Sequence, residues 1–231
     1  MKLIDRVARR RPLPSAPLAQ VPITREQRAA AHMLASLLLD YPDAAWFDRL
    51  AELAAHAAEL PAALADPLAA FIAEARAAGP TAWQQRYVTT FDLKRKCSLY
   101  LSYFATGDTR KRGTALVTFI EAYRAAGWEV GADELPDYLP VVLEFSARSD
   151  SEIAEALLAA HVEGIEVLRA ALESMESPWA RVIGVVTRSL PPVDDATKQR
   201  VLALVTEGPP TETVGLSFLG NLPPFSPRGA S

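Results

Sequence analysis

The chain has 231 residues, half of them apolar and 23% charged, with a formal net charge of −4. This length and apolar content suit one domain with a full core, and the acidic balance argues against a general nucleic-acid binder, which carries a basic face. A single cysteine, Cys97, excludes an internal disulfide and agrees with a reducing cytoplasm, and no apolar run reaches the roughly 20 residues of a membrane-spanning helix.

Arg9, Arg10 and Arg11 are followed by Pro12, Pro14 and Pro17 instead of the apolar stretch of an export signal, so residues 1–23 read as a disordered, solvated leader. Thr24 and Gln27 have capping-box spacing, and Met33, Leu34, Leu37 and Leu38 form the apolar stripe of a helix from Arg25 to Asp40. Asp43 caps the next helix, which ends near Leu60. Asp66-Pro67 begins a third that Gly79-Pro80 stops, and a fourth runs from Thr81 to Phe91. After a basic corner at Lys94, Arg95 and Lys96, an aromatic helix from Cys97 to Ala105 leads to a Gly107-Asp108 turn. Asp108 caps a helix with Leu116, Phe119, Ile120 and Tyr123 on one face, stopped by Gly127.

Asp133 is expected to cap a helix through ELPDYLPVVLEF to Arg148, with Pro136 tolerated in its first turn. Beyond it lie helices over Ser151–Met175, Pro178–Leu190 and Asp194–Glu207. Residues 208–231 form a proline- and glycine-rich tail whose Val214, Leu216, Phe218, Leu219, Leu222 and Phe225 offer a means of docking, although disorder is favoured. Alanine-rich helical runs and the absence of period-2 alternation give an all-α, single-domain bundle of about 8–10 helices spanning residues 24–207.

Tyr87, Phe91, Tyr100, Tyr103 and Phe104 are aromatics at helical spacing, which fits core packing; alternatively, the tyrosines line a groove with their hydroxyls hydrated. On a helical wheel Glu134, Asp137 and Glu144 share a narrow stripe among Leu135, Tyr138, Leu139, Val142 and Phe145. That stripe can receive a cation of a bound peptide or pair with Arg110 or Arg112. Arg110, Lys111 and Arg112 in the first turn of a helix oppose its dipole, so they pair with the acidic helix or meet acidic groups of a ligand. His32, His56 and His161 lie on different helices without metal-ligand spacing, so no metal site is expected. Cys97 lacks a nearby histidine and reads as a small buried residue.

The succession YVTTFDLKRKCSLYLSYFATGDTRKRG and ELPDYLPVVLEF between Tyr87 and Phe145, preceded by LLLDYP at Leu37 to Pro42, resembles the nitrate reductase molybdenum cofactor assembly chaperones. This NarJ-type, or delta-subunit, family has a Y...FD, SLYL, GD.R.RG and ELPD.LP order. The resemblance implies a helical cytoplasmic chaperone and no catalyst. Its client would be the apo catalytic α subunit of a respiratory nitrate reductase, bound at its N-terminal segment. The chaperone would support molybdenum cofactor insertion, delay membrane docking, hold no cofactor stably itself and stay out of the final enzyme. Molybdenum cofactor biosynthesis proteins are implied as further partners; nucleic acid and direct membrane insertion are not.

On this resemblance the client peptide would contact Tyr87, Phe91, Tyr100, Tyr103, Glu134, Asp137, Tyr138 and Leu139. Asp92, Gly107, Asp108, Arg110, Arg112, Gly113 and Glu144 would serve the fold or the client. The chain departs from the family in having Tyr138 where many members have His after ELPD, so proton-gated release through that position is not expected. The rival expectation is an all-α small-molecule binder or enzyme that uses the same tyrosines.

Overall fold

The computed structural model describes residues 18–106, 111–131, 134–149 and 151–190. Among them are α1 (Arg25–Leu39), α2 (Ala44–Ala57), α3 (Ala62–Ala78), α4 (Pro80–Tyr87), α5 (Leu101–Thr106), α6 (Lys111–Ala125), α7 (Leu139–Arg148), α8 (Glu152–Ala160), α9 (Val162–Glu173) and α10 (Trp179–Ser189). The protein is all-α, and the described residues contain no strand beyond one isolated bridge.

The first helices start where their capping residues dictate. Thr24 accepts from the Gln27 amide while the Gln27 side chain accepts from the Thr24 amide, and Asp43 accepts from the Trp46 amide at the start of α2. Gly79, at φ 76°, ends α3 as expected. The start of α3 differs: the helix begins at Ala62, so Pro67 lies inside it and not at its first turn.

α1 and α10 form the centre of the bundle, α1 lying against α7 and α10, and α10 against α3 and α9. Trp179, Val182, Ile183, Val185 and Val186 give α10 a broad apolar face that is buried along the helix, while Arg181 on the opposite side is exposed. Polar pins fix α1 on α7: Ser36 Oγ donates to the Pro140 carbonyl at 2.7 Å, and His32 Nδ1 lies 2.9 Å from Ser146 Oγ. Residues 18–23, placed in the leader by sequence, run along α10, where the Val21 amide donates to the Arg188 carbonyl at 2.9 Å and Leu18 packs over Gly184.

Three further expectations are corrected. α4 does not continue as an α-helix to Phe91 but widens into a π turn at Val88–Asp92. The expected helix over Ser151–Met175 breaks at His161, whose backbone (φ −107°, ψ 10°) ends α8 and begins α9. ELPD is a turn and not the start of a helix: the Tyr138 amide donates to the Leu135 carbonyl at 3.1 Å, with Pro136 at the position where its fixed φ favours a turn. The expected helix Asp194–Glu207, the tail 208–231, the Gly107-Asp108 turn and the Asp133 cap lie outside the described residues.

Candidate functional site

The segment before α5 is extended, against the expectation of a helix from Cys97, and pairs antiparallel with the segment before α7. The Leu101 amide donates to the Asp137 carbonyl at 2.9 Å and the Leu139 amide to the Leu99 carbonyl at 2.8 Å. Tyr100 therefore stands opposite Tyr138 in a non-hydrogen-bonded pair, the register that brings side chains closest. Their ring centroids are 5.3 Å apart. Alternation along the same two segments sends Leu99, Leu101 and Leu139 into the core.

The outward side of this pair forms one wall of an open cleft of about 270 Å³. The opposite wall comes from the end of α4 and its π turn, which bring Tyr87, Phe91 and Asp92 to the cleft, and α5 and α6 add Tyr103 and Arg112. Behind the cleft, Trp179 of α10 stacks edge-on to both Tyr87 (5.6 Å) and Phe91 (5.3 Å), so the wall rests on the bundle centre.

Tyr87 Oη donates to the Leu39 carbonyl at 3.1 Å and lies 3.4 Å from Tyr138 Oη. Burial pushes the Tyr138 phenol up to about 12 and the Tyr87 phenol higher still. Tyr100 is also raised, by burial and then by the charges of Glu134 and Asp137. At neutral pH all three hydroxyls remain protonated and able to donate. The Arg112 guanidinium sits 5.4 Å from the Tyr100 ring centroid, a cation–π contact at the cleft edge.

Five of the residues expected to bind a peptide meet in this cleft: Tyr87, Phe91, Tyr100, Tyr103 and Tyr138. Three do not. Leu139 is fully buried in the core. Asp137 is also fully buried; its Oδ2 accepts from Ser102 Oγ at 2.5 Å and from the Ser102 amide at 3.2 Å. The carboxylate thereby holds the start of α5, where the helix dipole favours it. Glu134 faces a different cleft, beside Trp128.

The acidic stripe thus does not form, because the turn at ELPD breaks the wheel that joined its members. Glu144 pairs with Arg148 at 2.7 Å on its own helix. Asp92 and Arg112 line the cleft, while Gly113 has open space where a Cβ would stand; Gly107, Asp108 and Arg110 lie outside the described residues. Arg95, Ser98 and Leu99 also line the cleft and were missed. The three-residue alternation at Leu99-Tyr100-Leu101 is the sequence signal for the extended segment and is too short to stand out from helical periodicity; Arg95 and Ser98, on the turn before it, carry no such signal.

Phenol, benzyl, hydroxyl and guanidinium groups around an open hollow suit the grasp of an apolar side chain with hydrogen-bonding backbone beside it. Among the described residues no group of three or more potential metal ligands gathers. The nitrate reductase delta subunit family matches this sequence over residues 44–183, more than half of the chain and the whole of the cleft.

The chain belongs to the nitrate reductase delta subunit family. Within that family it is similar to the probable nitrate reductase molybdenum cofactor assembly chaperone NarJ of Bacillus subtilis (strain 168). The two are 32% identical over 156 residues, covering 67% of this chain and 85% of the relative. The nitrate reductase molybdenum cofactor assembly chaperone NarJ of Escherichia coli (strain K12) is 32% identical over 151 residues, 64% of each chain. The nitrate reductase-like protein NarX of Mycobacterium tuberculosis (strain CDC 1551 / Oshkosh) is 39% identical over 155 residues, 67% of this chain, and this delta-family chain spans only 23% of that longer relative. No helix among the described residues of this family member is long and apolar enough to cross a membrane.

Proposed function

We propose that this protein is a non-catalytic, cytoplasmic assembly chaperone for a respiratory nitrate reductase, with the tyrosine-lined cleft as its client-binding site. The observation that carries the reading is the convergence of Tyr87, Phe91, Tyr100, Tyr103 and Tyr138, drawn from two distant motifs, on one open hollow. The names borne by the Bacillus and Escherichia relatives supply the client class. The client segment is the N-terminus of the apo α subunit. Holding it keeps the subunit open for molybdenum cofactor insertion and delays its membrane docking, and the chaperone then leaves.

Recognition follows from the lining. An amphipathic peptide lays its apolar residues against Tyr100, Tyr103 and Phe91, and the protonated hydroxyls of Tyr100 and Tyr138 donate to carbonyls beside them. Asp137 acts indirectly, by fixing α5 and hence Tyr103. The charged groups at the cleft are Asp92, Arg95 and Arg112.

Calorimetric titration with a synthetic peptide covering the α-subunit N-terminus tests the proposal. Saturable one-to-one binding with a negative heat-capacity change is expected, weakened about tenfold or more by Tyr103→Ala. If the peptide does not bind, or if a folded Tyr103→Ala variant binds it as tightly as wild type, the placement is wrong.

A further inference from the structure

On the far side of the ELPD turn, two adjoining hollows of about 240 and 400 Å³ lie between α6 and α7. Both are lined by Trp128, Glu129, Val130, Gly131 and Glu134. The floor is apolar: Trp128 packs edge-on to Phe145 with ring centroids 6.0 Å apart, and Val130 and Val141 extend the surface. The rim is acidic, with Glu129, Glu134 and Glu144 around it against Arg124 and Arg148.

The cations do not balance the rim evenly. Arg148 is committed to Glu144 at 2.7 Å, and no ion pair among the described residues involves Glu129, Glu134 or Arg124, which leaves two carboxylates, one of them accepting from the Leu135 amide at 3.0 Å, against one guanidinium. An example of the contact such a surface favours is present within the chain, where the Arg148 guanidinium lies 5.1 Å from the Trp128 ring centroid while Glu144 accepts from it. A ring face backed by carboxylates is a seat for guanidinium or ammonium groups, and an apolar floor beside it seats the neighbouring side chains.

Position ties this surface to the tyrosine cleft. Glu134 lines one and Tyr138 the other, so the two are separated by at most about 15 Å of extended backbone. A helical segment of about ten residues covers that distance.

We infer that the Trp128 cleft is a second docking surface, for a cationic amphipathic segment of the same client polypeptide that occupies the tyrosine cleft. The inference rests on the chaperone reading for the identity of the client, and on charge complementarity and proximity for the segment's chemistry. Lysine or arginine side chains settle against Glu129 and Glu134, and the apolar face covers Trp128 and Val141. Engaging both clefts with one chain raises affinity beyond either alone.

Trp128 is the reporter, because Trp46, Trp83 and Trp179 are buried and Trp128 alone of the four tryptophans is partly exposed. The experiment follows its indole N–H resonance, assigned with Trp128→Phe, on addition of three probes. These are an amphipathic helix of about 18 residues built from leucine and lysine, its leucine–glutamate counterpart, and the α-subunit N-terminal peptide. The lysine peptide is expected to bind and move the Trp128 signal, with affinity reduced about tenfold in Glu129→Gln/Glu134→Gln and further reduced by salt. The glutamate peptide should leave the signal in place.

Equal response to both designed peptides, or an unchanged affinity in the double variant, overturns the inference. If the α-subunit peptide binds yet leaves Trp128 unmoved and tolerates the double variant, the second surface falls while the chaperone reading stands. If the lysine peptide docks at Trp128 but the α-subunit peptide does not bind at all, the surface stands as a cationic-peptide site and the assignment of the client falls.

Discussion

His32 lies fully buried on α1 with Nδ1 beside Ser146 Oγ, and its Nε2 has no hydrogen-bond partner among the described residues. Burial first, and then the nearby charge of Arg28, push its pKa from 6.5 down to about 3. The folded protein therefore keeps this ring neutral where the unfolded chain takes up a proton. The site's contribution is complete above pH 6.5 and falls by roughly 1.4 kcal/mol per pH unit between 6.5 and 3, because the unfolded state binds the extra proton. Urea unfolding at about pH 7 and about pH 5 should show wild type losing about 2 kcal/mol more than His32→Gln, which keeps a partner for Ser146 without the titration. Identical pH dependence in the two proteins would rule this out. Asp137 is a second residue that burial redefines, since its sequence context suggests an exposed acid and its two hydrogen bonds from Ser102 make it a buried support for α5.

At the scale of elements, local chemistry decides most boundaries, and the caps are the clearest case. The box formed by Thr24 and Gln27 satisfies two otherwise orphaned amides of α1, so Thr24→Ala should cost about 1 kcal/mol in chemical denaturation. A loss below a few tenths would mean that packing alone holds the helix start. The π turn at Val88–Asp92 was not legible, since its sequence VTTFD has no proline or glycine to announce a change. Its Leu93 amide reaches the Val88 carbonyl at 3.1 Å, and the wider turn rotates the end of the helix so that Phe91 and Asp92 reach the cleft. The break at His161 is of the same kind. It is coupled to close packing, because a Cβ on Gly164 would stand 3.0 Å from that of Phe104, which lets α9 approach α5 only with glycine there.

Across the whole molecule, Trp179 links the bundle to the site. Its ring meets Phe71, Trp83, Tyr87 and Phe91, at centroid distances between 4.9 Å for Trp83 and 5.8 Å for Phe71. Trp179→Ala should therefore cost about 3–5 kcal/mol of stability and loosen the cleft wall, lowering peptide affinity even under conditions where the variant remains folded. A variant with wild-type affinity and a loss under about 1 kcal/mol would show that the wall stands without this support. The all-α class, the helix starts at Thr24 and Asp43, the stop at Gly79 and the family itself are determined by the sequence alone. Capping, helix propensity and glycine's positive φ act within a few residues, and the motif order from Tyr87 to Phe145 is a property of the string. Only the tertiary structure decided that Tyr100 faces Tyr138, that Asp137 and Leu139 turn inward and that Glu134 belongs to another cleft. Those outcomes depend on pairing between segments nearly forty residues apart, on a proline that forms a turn instead of a helix start, and on burial that no local pattern encodes.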